Sequence, residues 1–159
     1  MSNRADALAD RIEAGAAALA TFADTLTDAE WRTAQPHDGR MIGVIVHHVA
    51  DIYPVEMDVV RMISGGQAAP VTWDAVAELN AKHARANAAP VKADTLALLK
   101  ANAKKVADEV RRMSDAELDT AAPLGLSSNA PVTAQYVIED HPLKHPWHHL
   151  YRIRATLKR

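Results

Sequence analysis

The chain has no cysteine. That excludes a disulfide framework, a zinc–thiolate finger, an iron–sulfur cluster and a thiol nucleophile of its own. Aromatic residues are scarce, at 4%, too few to form stacking platforms for single-stranded nucleic acid. Positive charge is not in excess: 18 Lys and Arg stand against 20 Asp and Glu, with a pI of about 6.4. A nucleic-acid partner is therefore not expected. No run of about 18 apolar residues is present, so no membrane span is expected. The start, MSNRADALADRIEAG, is charged and lacks the apolar stretch of a signal peptide. These absences lead to the expectation of a soluble, cytoplasmic protein without nucleic-acid or membrane partners. Strand-like alternation, internal repeats and low-complexity tracts are also missing.

What is present fits one helical domain covering 1–159. Hydrophobic residues make up 48% of the chain and charged residues 24%, a balance that builds a core at this length without cross-links. Alanine, the most frequent residue, suits closely packed helices. Eight residues are histidine, and four of these, His141, His145, His148 and His149, crowd into one short stretch.

The hydrophobic period predicts four long helices. The first runs from about Asn3 to Phe22, with Leu8, Ile12, Ala16 and Leu19 on one side. Thr27 and Glu30 form a capping-box pattern that starts a short connector. The second long helix covers about 40–64, with the stripe Met41, Ile45, His48, Ile52, Val55, Val59 and Met62 read as a core seam. Pro54 predicts a kink in it. The third segment begins at Trp73, is interrupted by Pro90 and continues through Leu96, Leu99, Ala103, Val106 and Val110 to about Met113. Ser114 and Glu117 cap another connector. Residues 122–131 read as a loop. Thr133 caps the last helix, which Pro142 and Pro146 bend or restart near His145. Four long helices with short connections make an all-α four-helix bundle, up-down-down-up or a similar antiparallel order.

The histidines carry the chemistry. His48 falls on the core stripe, and His47 points about 100° away, toward Val44 and Asp51. By itself a histidine on such a stripe is more often a satisfied core residue. In the last helix His141, His145 and His149 recur every four residues and form a ridge on one face. Two imidazoles one turn apart can reach one metal ion. One core-facing histidine plus such a pair makes a three-imidazole site inside a bundle, with a coordination position left for water or substrate. Spacing alone leaves His141 with His145 and His145 with His149 as alternative pairs. Of the others, His37 reads as a solvated turn residue and His83 as a surface residue beside Lys82 and Arg85. His148 reads as exposed or as a support beside the pair. Glu56 and Asp51 read as a solvated acidic face, with service as a base or supporting carboxylate as the alternative. Trp147 either packs at the bundle end or walls the pocket.

The segment D38-G-R-M-I-G-V-I-V-H-H-V-A-D51 resembles the DinB-like superfamily, in which an Asp-Gly turn leads into a helix bearing a metal histidine. The end, H145-P-W-H-H149-L-Y-R-I153, is similar to the family's closing His-x-x-x-His-Leu-x-x-Ile. The middle, from Trp73 through Leu79 and Asn80 to the stripe ending at Leu118, is similar too, so the resemblance covers nearly the whole chain. It implies a four-helix bundle, often dimeric, whose three histidines bind zinc or nickel. On this chain those are His48, His145 and His149, because His149 is followed by Leu-x-x-Ile. Family members include thiol S-transferases using mycothiol or bacillithiol, a mycothiol-dependent isomerase and proteins described as metal-dependent hydrolases. Two departures stand out: Arg40 occupies the place of the family's usual Trp, and Pro142 and Pro146 flank the ligand pair.

Two functions are therefore expected as alternatives. One is a metal-dependent hydrolase or thiol S-transferase acting on a small molecule, possible as a homodimer, with any thiol supplied by an external low-molecular-weight cosubstrate. The other is a non-catalytic bundle, metal-stabilised or metal-free, that binds a small molecule or a partner. No catalytic base is assigned by either.

Overall fold

Small side chains on helix α1 let its neighbours approach closely. In the computed structural model, which describes residues 3–159, α1 spans Asn3–Asp24 and buries Ala5, Ala9, Ala16, Ala20 and Ala23 between Leu8, Ile12 and Leu19. The connector α2 (Asp28–Trp31) begins with the expected box: Thr27 accepts from the Glu30 amide, and Glu30 accepts from the Thr27 amide. Helix α3 is Ile42–Ser64, α4 Trp73–Ala86 and α5 Lys92–Val110. The short α6 (Asp115–Asp119) carries the second expected box, from Ser114 and Glu117. Two strands follow, β1 (Ala121–Leu124) and β2 (Ala130–Thr133). Thr133 caps α7 (Ala134–Ile138), as expected. A π-helical turn over Glu139–Leu143 leads into α8 (Lys144–Leu157).

Side-chain links give the helix directions. Lys92, at the start of α5, donates to the carbonyl of Leu26, beyond the end of α1. Arg111, after the end of α5, bonds Asp10 and Glu13 in the first half of α1. These two helices are antiparallel. The pairs Asn102–Ala50 and Arg61–Glu109 make α5 parallel to α3. Arg11 pairs with Glu139, and Arg154 lies over the Phe22 ring, so α8 runs parallel to α1. The order is up-down-down-up. Because α3 and α5 point the same way, the chain must return between them, and α4 is that return. Its end brings His83 beside His47 near the start of α3.

Three expectations are corrected. The third segment is two separate helices, since Pro90 and the preceding turn separate the return stroke α4 from the bundle helix α5. Residues 122–131 are not all loop: β1 and β2 pair antiparallel, Ala122 opposite Val132 and Leu124 opposite Ala130. Ala69 bridges to Leu124 and ties the segment before α4 to this hairpin. The third correction concerns α3, which is apolar nearly all round. Its core face is Ile42, Val46, Val49, Ala50, Tyr53, Met57, Val60 and Ile63. The stripe read as the core seam is split: Ile45 and Val59 belong to the core, His48, Ile52, Val55 and Val59 line a cavity, and Met41 and Val55 are more than 40% exposed.

α3 stays helical through Pro54. Proline has no N–H to give the carbonyl of Ala50. The buried Asn102 of α5 supplies the missing donor, with Nδ2 2.8 Å from that oxygen. One side chain therefore keeps a buried carbonyl satisfied and ties α5 to α3.

Candidate metal centre

α8 brings its histidines to α3 because the chain around it adapts to two prolines. Pro142 falls in the π turn and Pro146 in the first helical turn, where a missing N–H costs little. Gly15 of α1 permits the close approach. A Cβ there would lie 2.8 Å from Trp147 Nε1 and 2.9 Å from Pro146 Cγ. Trp147 thus packs at α1 rather than lining the cavity. From Lys144 onward α8 is regular, which keeps His145 and His149 on one face. His141 lies in the wider π turn and lines the same cavity, but it is not among the three rings whose nitrogens converge. Its Nδ1 sits 3.7 Å from Asp140.

His48, His145 and His149 each offer a ring nitrogen to one point, the three atoms lying within 4.8 Å of one another. Ring centroids are 5.0 Å apart for His48 and His145, 5.7 Å for His48 and His149, and 4.7 Å for His145 and His149. The two Nε2 atoms of His145 and His149 face each other at 2.9 Å. On the far side of His145, Nδ1 donates to Glu56 Oε1 at 2.8 Å. That carboxylate leaves Nε2 of His145 with its lone pair toward the centre, the tautomer a metal ligand requires. Burial, with the neighbouring His145 ring second, pushes the imidazolium of His48 down to about 2. Burial pushes His149 down as well, again with His145 second. Both rings are therefore neutral donors at physiological pH. Three imidazole nitrogens, one of whose rings is anchored by a carboxylate, fit zinc, nickel or a related divalent ion, and three such ligands leave a position open.

A family model of the DinB superfamily matches residues 11–153. The chain belongs to the DinB superfamily. No curated protein sequence matches it. Among solved structures it is similar to YfiT from Bacillus subtilis, described as a probable metal-dependent hydrolase with an unusual four-helix bundle topology. The TM-score is 0.71 at 18% identity, over 99% of this chain and 87% of that one. At this identity the likeness shows the shared fold.

The centre of this DinB protein opens into a cavity of about 500 Å³. Ile52, Val55 and Val59 of α3 form one wall, with Trp73, Val76 and Leu79 of α4 opposite. His37, Arg40, His148 and Arg152 line another part. Two residues differ from the sequence reading. Glu56 is not on a solvated face: it is 9% exposed and holds His145, while its Oε2 has no hydrogen-bond partner. It lies eight residues after His48 on α3, but nothing in the spacing of Asp51, Glu56 and Asp58 along that helix marks which of them meets a partner from another helix. His83 is not a surface residue either. It is the one buried residue of α4 among the described residues, and its Nε2 lies 2.8 Å from His47 Nδ1. Burial, then His47, lowers its tendency to protonate. Asp51 is exposed, 3.9 Å from His83. His37 and His148 are exposed, as expected.

Proposed function

We propose that this DinB-superfamily protein is a metal-dependent enzyme in which His48, His145 and His149 hold one divalent cation, zinc or nickel. Its reaction is hydrolysis of a small molecule or transfer of an external low-molecular-weight thiol. The observation that carries this reading is the convergence of three ring nitrogens within 4.8 Å beside an open cavity. A divalent ion on imidazole ligands lowers the pKa of a bound water or thiol and polarises a substrate carbonyl. The protein's own groups do the rest. Glu56 fixes the tautomer and orientation of His145, and the apolar wall from α3 and α4 strips water from the substrate body. With no cysteine in the chain, a thiol nucleophile must come from a cosubstrate. The description of YfiT as a probable metal-dependent hydrolase supports the hydrolytic branch.

A second reading, a non-catalytic metal-stabilised bundle that binds a small molecule, is favoured by one observation. Of the two carboxylates that line the cavity, Asp140 is held by Lys144 and Glu56 by His145 through Oε1, while the unpartnered Glu56 Oε2 is buried, so neither presents an open base to the cavity. The test is a zinc and cobalt(II) titration of the wild type and of His149→Ala, followed by assays on ester and amide substrates with and without added thiols. Stoichiometric binding lost in His149→Ala supports the metal centre, and turnover that needs the metal supports the enzyme. Binding of neither ion defeats the reading. Metal binding without turnover across the screen selects the non-catalytic one.

A further inference from the structure

The cavity has a polarity along its length that the three histidines alone do not need. Arg40 lies just before α3, at the end of the cavity where that helix starts, and Val59 stands eleven residues after His48, roughly 16 Å along the helix the other way. On α8, Arg152 lies one turn beyond His149, on the Arg40 side. Val55, Val59 and Trp73 line the opposite end, with Val71 and Leu126 brought in by the bridge of Ala69 to β1. The histidine cluster therefore lies between a cationic end and an apolar end.

The charges at the cationic end are not all neutralised. Asp38 accepts from Arg40 Nε at 3.1 Å and from Nη2 at 2.8 Å. Arg40 Nη1 is buried and has no hydrogen-bond partner. At the opposite end, beyond His145, Lys144 is matched by Asp140 at 2.6 Å, so this pair adds no net charge beside the apolar residues there. Arg152 has no carboxylate partner among the described residues, and its guanidinium rests on Nε2 of the exposed His37 ring. A half-buried guanidinium without an anion and a buried donor without an acceptor both favour a ligand that supplies one. At the other end Val55 is 42% and Trp73 65% exposed, apolar surface that a ligand body would cover.

We propose that the cavity selects amphiphilic carboxylates, whose anionic head is held by Arg152 with Arg40 and whose apolar body lies against Val55, Val59 and Trp73. The bond to be acted on then falls between head and body, at the histidines. That placement of the reaction rests on the metal-centre reading above, whereas the binding preference stands without it. Arg40, set where the family usually has Trp, makes this head-group recognition a property of this chain's own residues.

The test compares N-octanoylglycine with its neutral analogue N-octanoylglycinamide by titration calorimetry, on metal-free and zinc-loaded full-length protein. Zinc stoichiometry is measured separately by cobalt(II) absorption. We expect the acid to bind at least about tenfold more tightly than the amide, the size of one charge-assisted contact of about 1.4 kcal/mol. Arg152→Gln should shrink that preference to less than about threefold with amide affinity unchanged, and Arg152→Lys should restore part of it. Trp73→Ala should weaken both ligands alike. Equal affinity for the two ligands, no binding of the acid at millimolar concentration, or an undiminished preference in Arg152→Gln overturns the proposal. A preference that occurs with zinc alone and survives Arg152→Gln places the carboxylate on the cation and overturns it too. If the protein takes up no zinc yet still prefers the acid through Arg152, the metal-centre reading fails and the head-group site stands.

Discussion

The two sides of α3 contrast. One side packs toward α5 and the bundle core through Ile42, Val46, Val49, Tyr53, Val60 and Ile63, all at most 1% exposed. The other faces α4 and α8 across the cavity, where Ile52 and Val55 stay partly open and α4 contributes His83 as its buried residue among those described. Both sides are built of similar aliphatic residues. What separates them is partners: α5 brings Leu99 and Val106 to the first, while the second meets histidines and a thin return helix. Apolar surface on the packed side stabilises the fold, and similar surface on the open side is left for a ligand.

The contrast can be broken or sharpened by experiments ordered by expected effect. The largest concerns metal. Zinc at a thousand times its dissociation constant should stabilise the fold by about 4 kcal/mol, reversed by EDTA and absent in His48→Ala, as read by thermal unfolding. An equal rise in that variant would remove His48 from the site. Next is the packed side. Leu99, fully buried on α5, should cost about 2–5 kcal/mol as Leu99→Ala, with the mutant's zinc affinity unchanged. A parallel loss of zinc affinity would show that the two sides are not separable. Glu56→Gln comes third. It replaces the carboxylate that holds His145 and should weaken zinc binding by about 10–100-fold, measured by competition with a chelator. Unchanged affinity would return Glu56 to a packing role. The smallest is Trp73→Ala, expected to stay within about 0.5 kcal/mol of wild-type stability because the ring is exposed. A larger loss in urea unfolding would mean that α4 carries more of the fold than its burial suggests.

Much of the helical framework was legible in the residues themselves. Thr27, Ser114 and Thr133 announced their helices, because a cap is a contact between a side chain and a backbone three residues away. The histidine cluster was legible for a related reason: helical period put His48 on the apolar stripe and His141, His145 and His149 on one ridge, and the family resemblance selected His149 by the Leu-x-x-Ile after it. The π turn at His141 could not be read from spacing, which assumes a constant period. Nor could the burial of Glu56 and His83, since each depends on a partner far along the chain, His145 for one and His47 for the other. The core face of α3 was read only in part, with Ile45 and Val59 in the core but Ile52 and Val55 at the cavity, because a helix apolar nearly all round has no unique stripe, and neighbours choose between its faces.

The sequence by itself determined that this is a cysteine-free helical bundle with imidazole as its available metal ligand, since composition, period and caps are local properties of the chain. Only the tertiary structure decided which face of α3 is core and which is cavity, that Glu56 holds His145, and that Arg40 and Arg152 share one end of a pocket. Those outcomes depend on how helices cross and how Pro142, Pro146 and Gly15 let α8 settle, and packing between distant segments is not written in any one of them.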